Sequence, residues 1–283
     1  MMRKARMGVI PPRRGRIVAT VGVGVFVATM IFPLIWMLSA SFKLEKDVFN
    51  YPIEWIPRVF TFENYIKVWT GRYNFPLYYL NTIRITLAVT ILQTLVSSMA
   101  AYAFAKLRFR LREPLFALFL ATMMIPDQVT IVPKFMLLTR TGLYDTHIGL
   151  ILLLAFSVYG VFLLRQGMMS IPDSLLEAAR IDGANAFQVF VRIALPMTRA
   201  AILTLVILRF LWTWNDYQNP LLFIRSQKLF PLQLGMSQFA SQSGTYYALL
   251  MAASVCSLVP LILVFAFGQR YILDGIASGA VKG

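Results

Sequence analysis

The stretch IVATVGVGVFVATMIFPLIWMLSA, Ile17–Ala40, runs for 24 residues without a charged side chain. As an α-helix it would extend about 36 Å at about 1.5 Å per residue, enough to cross the roughly 30 Å hydrocarbon core of a bilayer. Lipid offers no partner to backbone N–H and C=O groups, so a helix is required there. Five further runs are predominantly apolar and long enough to cross: Asn81–Phe104, Pro114–Val132, Ile148–Leu164, Ala200–Tyr217 and Ala248–Phe267. The alternating segments of a β-barrel are absent from the sequence. The expected fold is therefore an all-α integral membrane protein with six transmembrane helices. The first run is too long for a cleaved signal and lacks an A-x-A site, so it reads as a retained span.

Composition agrees. Of 283 residues, 58% are hydrophobic and 14% charged, too little polar surface to cover a water-soluble core of this size. The formal charge of +15 does not indicate nucleic acid, because the basic residues cluster at the ends of apolar runs, where they meet anionic lipid headgroups. Cys256 is the only cysteine, which excludes an intrachain disulfide or a cysteine metal cluster. No metal site is expected.

Basic residues also set the orientation. Arg3, Lys4, Arg6, Arg13, Arg14 and Arg16 share a side with Lys106, Arg108, Arg110 and Arg112, and with Arg165, Arg180, Arg192 and Arg199. By the positive-inside rule both termini are cytoplasmic, as an even number of spans demands. The expected organisation is a basic leader at 1–16, a first span at 17–40, an outer loop at 41–80 and a core at 81–283. That core holds the other five spans and a cytoplasmic loop at 165–199.

The loop contains IPDSLLEAARIDGANAFQVFVRIALP, Ile171–Pro196. Pro172, Asp173 and Ser174 form a helix start, and Leu175–Ile181 a short helix with small residues on its surface. Gly183 permits a sharp left-handed turn. A second helix over roughly Asn185–Ala194 presents Phe187, Val189, Phe190, Val191 and Ile193. The unit reads either as a helix–turn–helix that seats on a partner or as a plain amphipathic connector.

The spacing of Glu177, Ala178, Ala179, Gly183, Ile193, Leu195 and Pro196 resembles the EAA signature of binding-protein-dependent ABC importer permeases. Three further stretches resemble the carbohydrate-uptake branch: FLLRQ at Phe162–Gln166, WNDY with PL within Trp214–Leu222, and the end Gly275–Gly283. The chain is similar to the smaller maltose-system permease subunit, over roughly residues 15–283. Asp127 falls where relatives vary, and the leader is peculiar to this chain.

The resemblance implies a coupling helix that docks a cytoplasmic ATPase through Glu177, Ala178, Ala179, Arg180, Asp182 and Gly183. Phe187, Ile193, Leu195 and Pro196 would hold that helix to the bundle. It further implies a homologous second permease, two copies of the ATPase, an external solute-binding protein and a place in the bacterial inner membrane. ATP and Mg would bind the ATPase; this chain has no P-loop and cannot be the hydrolysing subunit. No cofactor is expected on it.

Contacts with solute are less determined. Trp214, Asn215, Asp216, Tyr217 and Asp127 are candidates for a substrate path, since aromatic faces suit a pyranose and charges within spans are costly. Interfacial belts explain the aromatics equally well. Arg209 and Asp216 share a helical face and read first as a structural pair. Gln238, Ser241, Gln242 and Gly244, in the last outer loop, are candidates for binding-protein contact. A gradient-driven secondary carrier is the alternative class, but it calls for inverted repeats and midplane carboxylates, and of the latter Asp127 is the only candidate.

Overall fold

In a computed structural model, which describes residues 13–71, 74–241 and 244–280, the chain is almost wholly helical. Helix α1 (Arg13–Ser41) carries the first apolar run, and α2 (Glu63–Thr70) lies in the loop after it. Then come α3 (Phe75–Lys106), α4 (Arg112–Ala121), α5 (Asp127–Arg140), α6 (His147–Leu154) and α7 (Val158–Met169). The next loop contains α8 (Asp173–Ile181) and α9 (Ala186–Val189), which passes through a π-helical turn at Phe190–Ala194 into α10 (Leu195–Met197). Helix α11 (Arg199–Trp214), the short α12 (Gln218–Phe223) and α13 (Leu232–Gly235), and α14 (Tyr247–Ala280) complete the chain. The expected leader lies outside the described residues as far as residue 12.

Among the described residues, three helices are by themselves long and apolar enough to cross a bilayer: Ile17–Ser41, Phe75–Lys106 and Tyr247–Tyr271. Three bent pairs bring the number to six when each counts as one crossing. The single helix expected over Pro114–Val132 is not continuous. Pro126 has no N–H, and its ring holds Ile125 extended (φ −82°, ψ 115°), so α5 leaves the preceding helix at 100°. The run Ile148–Leu164 bends by 44° between α6 and α7. There Ser157 starts a new helix, its hydroxyl accepting the Gly160 N–H at 3.1 Å. Helix α11 ends at Trp214, short of the expected Tyr217, and meets the segment Ala186–Met197 at 78°.

The chain divides into two compact units, Met1–Thr70 with Gln242–Cys256, and Gly71–Ser241 with Ser257–Gly283. In the first, Glu45 closes the start of α14: its carboxylate accepts the N–H groups of Tyr247 at 2.7 Å and Ala248 at 2.9 Å. An anion there satisfies orphan donors and complements the helix dipole. Lys43 is buried beneath the Trp36 ring, 4.3 Å from its centroid, and donates to the Glu54 carbonyl. Burial pulls its ammonium below the usual lysine range, against the opposing pull of Glu54 and Asp47.

In the second unit α3 packs along α7 and α11. Gly160 lets α7 approach closely, since a Cβ there would meet Ser97 Oγ at 2.8 Å and Gln93 Nε2 at 3.3 Å. The bend before α6 is pinned by Asp145, whose carboxylate accepts the N–H groups of Arg225 at 2.8 Å and Ser226 at 2.9 Å and the Ser226 hydroxyl. Burial alone would raise that carboxyl, but these bonds together hold it below the usual carboxylate range.

Gly149 sits inside the same bend, and a Cβ on it would lie 2.2 Å from the Leu143 carbonyl oxygen. Gly149→Ala should cost about 2–3 kcal/mol, because a backbone atom must give way. Gly142→Ala meets nothing within 4 Å and suffers only the strain of φ +71°, about 1 kcal/mol. Thermal unfolding of the two variants in detergent should reproduce that order.

Candidate coupling site

Helix α8 is mounted by its inward face. Leu176 is buried and Ala179 half-buried, in a cluster with Tyr102, Leu164, Met168, Val189 and Phe190. Glu177, Ala178, Arg180, Asp182 and Gly183 remain exposed, so the predicted docking residues other than Ala179 form one accessible rim. The turn follows from Gly183, at φ +84° with open space where a Cβ would be. The next helix starts on a capping box: Asn185 Oδ1 accepts the Gln188 N–H and Gln188 Oε1 accepts the Asn185 N–H, each at 2.9 Å.

The second helix does not attach through Phe187 as expected. That ring is 68% exposed, and Ile181 at the end of α8 is 86% exposed. Attachment falls to the buried Val189, Phe190 and Ala194, with Phe190 tilted against Tyr102 at 5.1 Å. Ile193 and Leu195 are half-buried against the same cluster, while Pro196 is exposed at the foot of α11.

Polar bonds add a second set of braces. Lys106, its side chain only 5% exposed, donates to Asp173 Oδ1 at 2.6 Å and to the Ile171 carbonyl at 2.7 Å. It thereby ties the end of α3 to the start of α8. Arg165 Nη2 donates to both Glu113 carboxylate oxygens at 2.9 Å, Nε donates to the Phe104 carbonyl at 3.2 Å, and the guanidinium lies 3.9 Å from the Phe116 ring centroid. Sequence reasoning took Lys106 and Arg165 as cytoplasmic charges only, because an anchor in headgroups and a brace inside the protein look alike in sequence.

The hydrogen bond and charge of Lys106 hold the Asp173 carboxyl below the usual carboxylate range. A carboxylate depressed in the folded state contributes stability above its unfolded value and loses it as pH falls through the lower folded one. The stability gap between the wild type and Asp173→Asn should therefore stay constant near neutral pH and narrow only below the ordinary carboxylate range. Unfolding followed against pH measures this.

The predicted solute-path residues separate. Trp214 is only 1% exposed: its indole N–H donates to the Ser257 carbonyl at 3.1 Å and its ring stacks on Phe210 at 5.5 Å. It is part of the packing and is not free to stack on a sugar. Asn215 and Tyr217 are exposed, and Asp216 accepts from Asn219 at 3.1 and 2.8 Å. Asp127 is exposed and pairs with Lys134 at 3.2 Å. Arg209 donates to the Leu154 carbonyl at 3.1 Å, where α6 ends and its dipole favours a cation. Gln238 Oε1 accepts from Gln227 Nε2 at 3.2 Å, Ser241 and Gly244 lie in two-residue extended segments, and Gln242 is outside the described residues.

A sequence feature that gained meaning only in three dimensions is the polar line on α3. Thr86, Thr90, Gln93 and Ser97 are buried where α3 faces its neighbours, and their side-chain polar atoms make no hydrogen bond among the described residues. Their spacing of three and four was visible, but apolar residues around them hid it.

Long apolar helices, three bent pairs that each count as a crossing, and α8 mounted by its buried face define the class as a multi-span membrane protein. The chain belongs to the binding-protein-dependent transport system inner membrane components, matching that family over residues 93–276; it is an ABC importer permease subunit of the inner membrane, a transport component and not an enzyme. It is 34% identical to the arabinooligosaccharides transport system permease protein of Bacillus subtilis, over 89% of this chain and 91% of that one. It is 33% identical to the sn-glycerol-3-phosphate transport system permease protein of Yersinia pestis, over 89% and 92%. A crystal structure of a bacterial ABC transporter involved in the import of the acidic polysaccharide alginate superposes with a TM-score of 0.84 at 25% identity, over 93% of this chain and 99% of that one.

Proposed function

We propose that this permease carries a sugar or sugar-like solute (an oligosaccharide, a polyol or a glycerol phosphate) inward, as delivered by an extracytoplasmic binding protein. It pairs with a homologous second permease, and two copies of a cytoplasmic ATPase bind and hydrolyse ATP with Mg. Both termini lie in the cytoplasm. The single observation that carries the coupling is the exposed rim of α8, Glu177 to Gly183, on a helix whose other face is buried.

Closure of the ATPases would displace α8. The buried Leu176, the Lys106–Asp173 and Arg165–Glu113 braces and the π-helical turn at Phe190–Ala194 would pass that displacement to α3 and α11, as rigid elements do in shear and hinge transitions. The sugar class is supported by the cargo in the names of the relatives above. With Trp214 enclosed, Asn215, Asp216, Tyr217 and Asp127 are the candidates for solute contact on this chain, and Gln238, Ser241, Gln242 and Gly244 for the binding protein.

The test is reconstitution of the whole transporter in proteoliposomes. ATP hydrolysis should rise when binding protein loaded with an oligosaccharide is present on the outer side, because a ligand that favours the state in which the ATPases close raises that state's population. Uptake that persists without ATP and collapses with an uncoupler would contradict the proposal.

A further inference from the structure

Where α3 ends, the chain forms a cleft beside the exposed rim of α8. Its polar walls are Lys106, Arg108, Arg112, Glu113 and Asp173, its apolar wall is Phe109, Leu111 and Met169, and its volume is about 760 Å³. It adjoins a polar recess of about 60 Å³ that also takes in Glu177 and Arg180. Across the two spaces the four cations Lys106, Arg108, Arg112 and Arg180 exceed the three carboxylates Glu113, Asp173 and Glu177 by one. Around the two spaces Lys106 is paired with Asp173, Arg112 with Glu113 at 3.0 Å, and Glu113 again with Arg165. Arg108 and Arg180 form no ion pair among the described residues.

The wall is two-sided. Arg108 and Arg112 supply guanidinium donors, which match the oxygens of a phosphate. Phe109 (40% exposed), Leu111 (59%) and Met169 (48%) supply an apolar surface next to them. Free phosphate would use only the first. A phospholipid uses both, its phosphate against the arginines and its glycerol and upper acyl carbons against the apolar side chains. The cleft sits where α3, a helix long and apolar enough to cross a bilayer, ends and α4 begins, and basic pockets at the ends of spans are where headgroups bind.

We propose that this cleft is a binding site for an anionic phospholipid, held by its phosphate at Arg108 and Arg112. A lipid seated there contacts the α3–α4 turn and the residue that starts α8, so it braces the coupling helix from the membrane side. This inference holds whichever solute the transporter carries.

Arg110 provides the control, since it stands in the same basic run but does not line either space. The intact transporter, ATPases included, is purified in mild detergent and examined by native mass spectrometry after exposure to phosphatidylglycerol or phosphatidylcholine. Wild type should retain phosphatidylglycerol in preference. Arg108→Gln should reduce retention roughly fivefold, the effect of one cation at a headgroup, while Arg110→Gln leaves it unchanged. Millimolar inorganic phosphate should not displace the lipid.

Equal losses in both variants would reduce the cleft to diffuse surface charge and overturn the proposal. Displacement by phosphate would reassign it to a free anion. Retention only after the ATPases are stripped away would give the cleft to the ATPase instead.

Discussion

Glu177→Lys should abolish solute-stimulated ATP hydrolysis by the reconstituted transporter, lowering it at least about tenfold. Reversing a charge at a complementary protein interface costs several kcal/mol, and about 1.4 kcal/mol already weakens binding tenfold. The side chain is exposed and forms no ion pair among the described residues, so nothing in the fold of this subunit depends on it. Membrane insertion and thermal unfolding of the permease should match wild type. That combination, an intact subunit and a dead transporter, separates a docking residue from a structural one. A variant with normal stimulated hydrolysis would remove Glu177 from the interface.

Arg165→Ala should act in the opposite manner, through stability. The side chain is 8% exposed and joins Glu113, the Phe104 carbonyl and the Phe116 ring at one point. Its loss leaves the Glu113 carboxylate with only Arg112 at 3.0 Å and opens a space beside Phe116. Breaking a buried ion pair typically costs about 3–5 kcal/mol. Glu113 is more than half exposed, so about 2–3 kcal/mol is the expected loss after solvent screening. Thermal unfolding should show it, with lower yield of the assembled complex. Arg165→Lys should recover only part of the loss, because an ammonium cannot serve the carboxylate, the carbonyl and the ring together.

The two variants mark what could be seen in the sequence. The spans were legible because a bilayer demands a length of apolar helix, and the turn at Gly183 and a second helix from about Asn185 were legible because local backbone chemistry sets them. The spaced EAA residues led to the docking rim. Pro126 was visible too, but a proline inside an apolar run can either kink a helix or end it. Only tertiary packing chose the 100° break.

Burial was the harder matter. Trp214 and Phe187 carry equally apolar rings, yet one is enclosed and the other faces outward, because side-chain direction depends on where each helix ends and how it leans. Arg165, Lys106 and Arg108 look alike in a basic loop. Their division into a brace, a tie and a cation without a close ion pair among the described residues required distances.

The central claim is that the rim of α8 is the surface that meets the ATPase. It is tested most directly by cross-linking in the assembled transporter. Cys256 is the chain's only cysteine, so Cys256→Ser gives a clean background for Ala178→Cys on the rim and Val191→Cys on the exposed side of the second helix. With a bifunctional thiol reagent and cysteines around the cleft of the ATPase, Ala178→Cys should form a cross-link whose yield changes with bound ATP, and Val191→Cys should not. A cross-link from Val191→Cys alone, or none from Ala178→Cys in a complex that still hydrolyses ATP on demand, would contradict the claim.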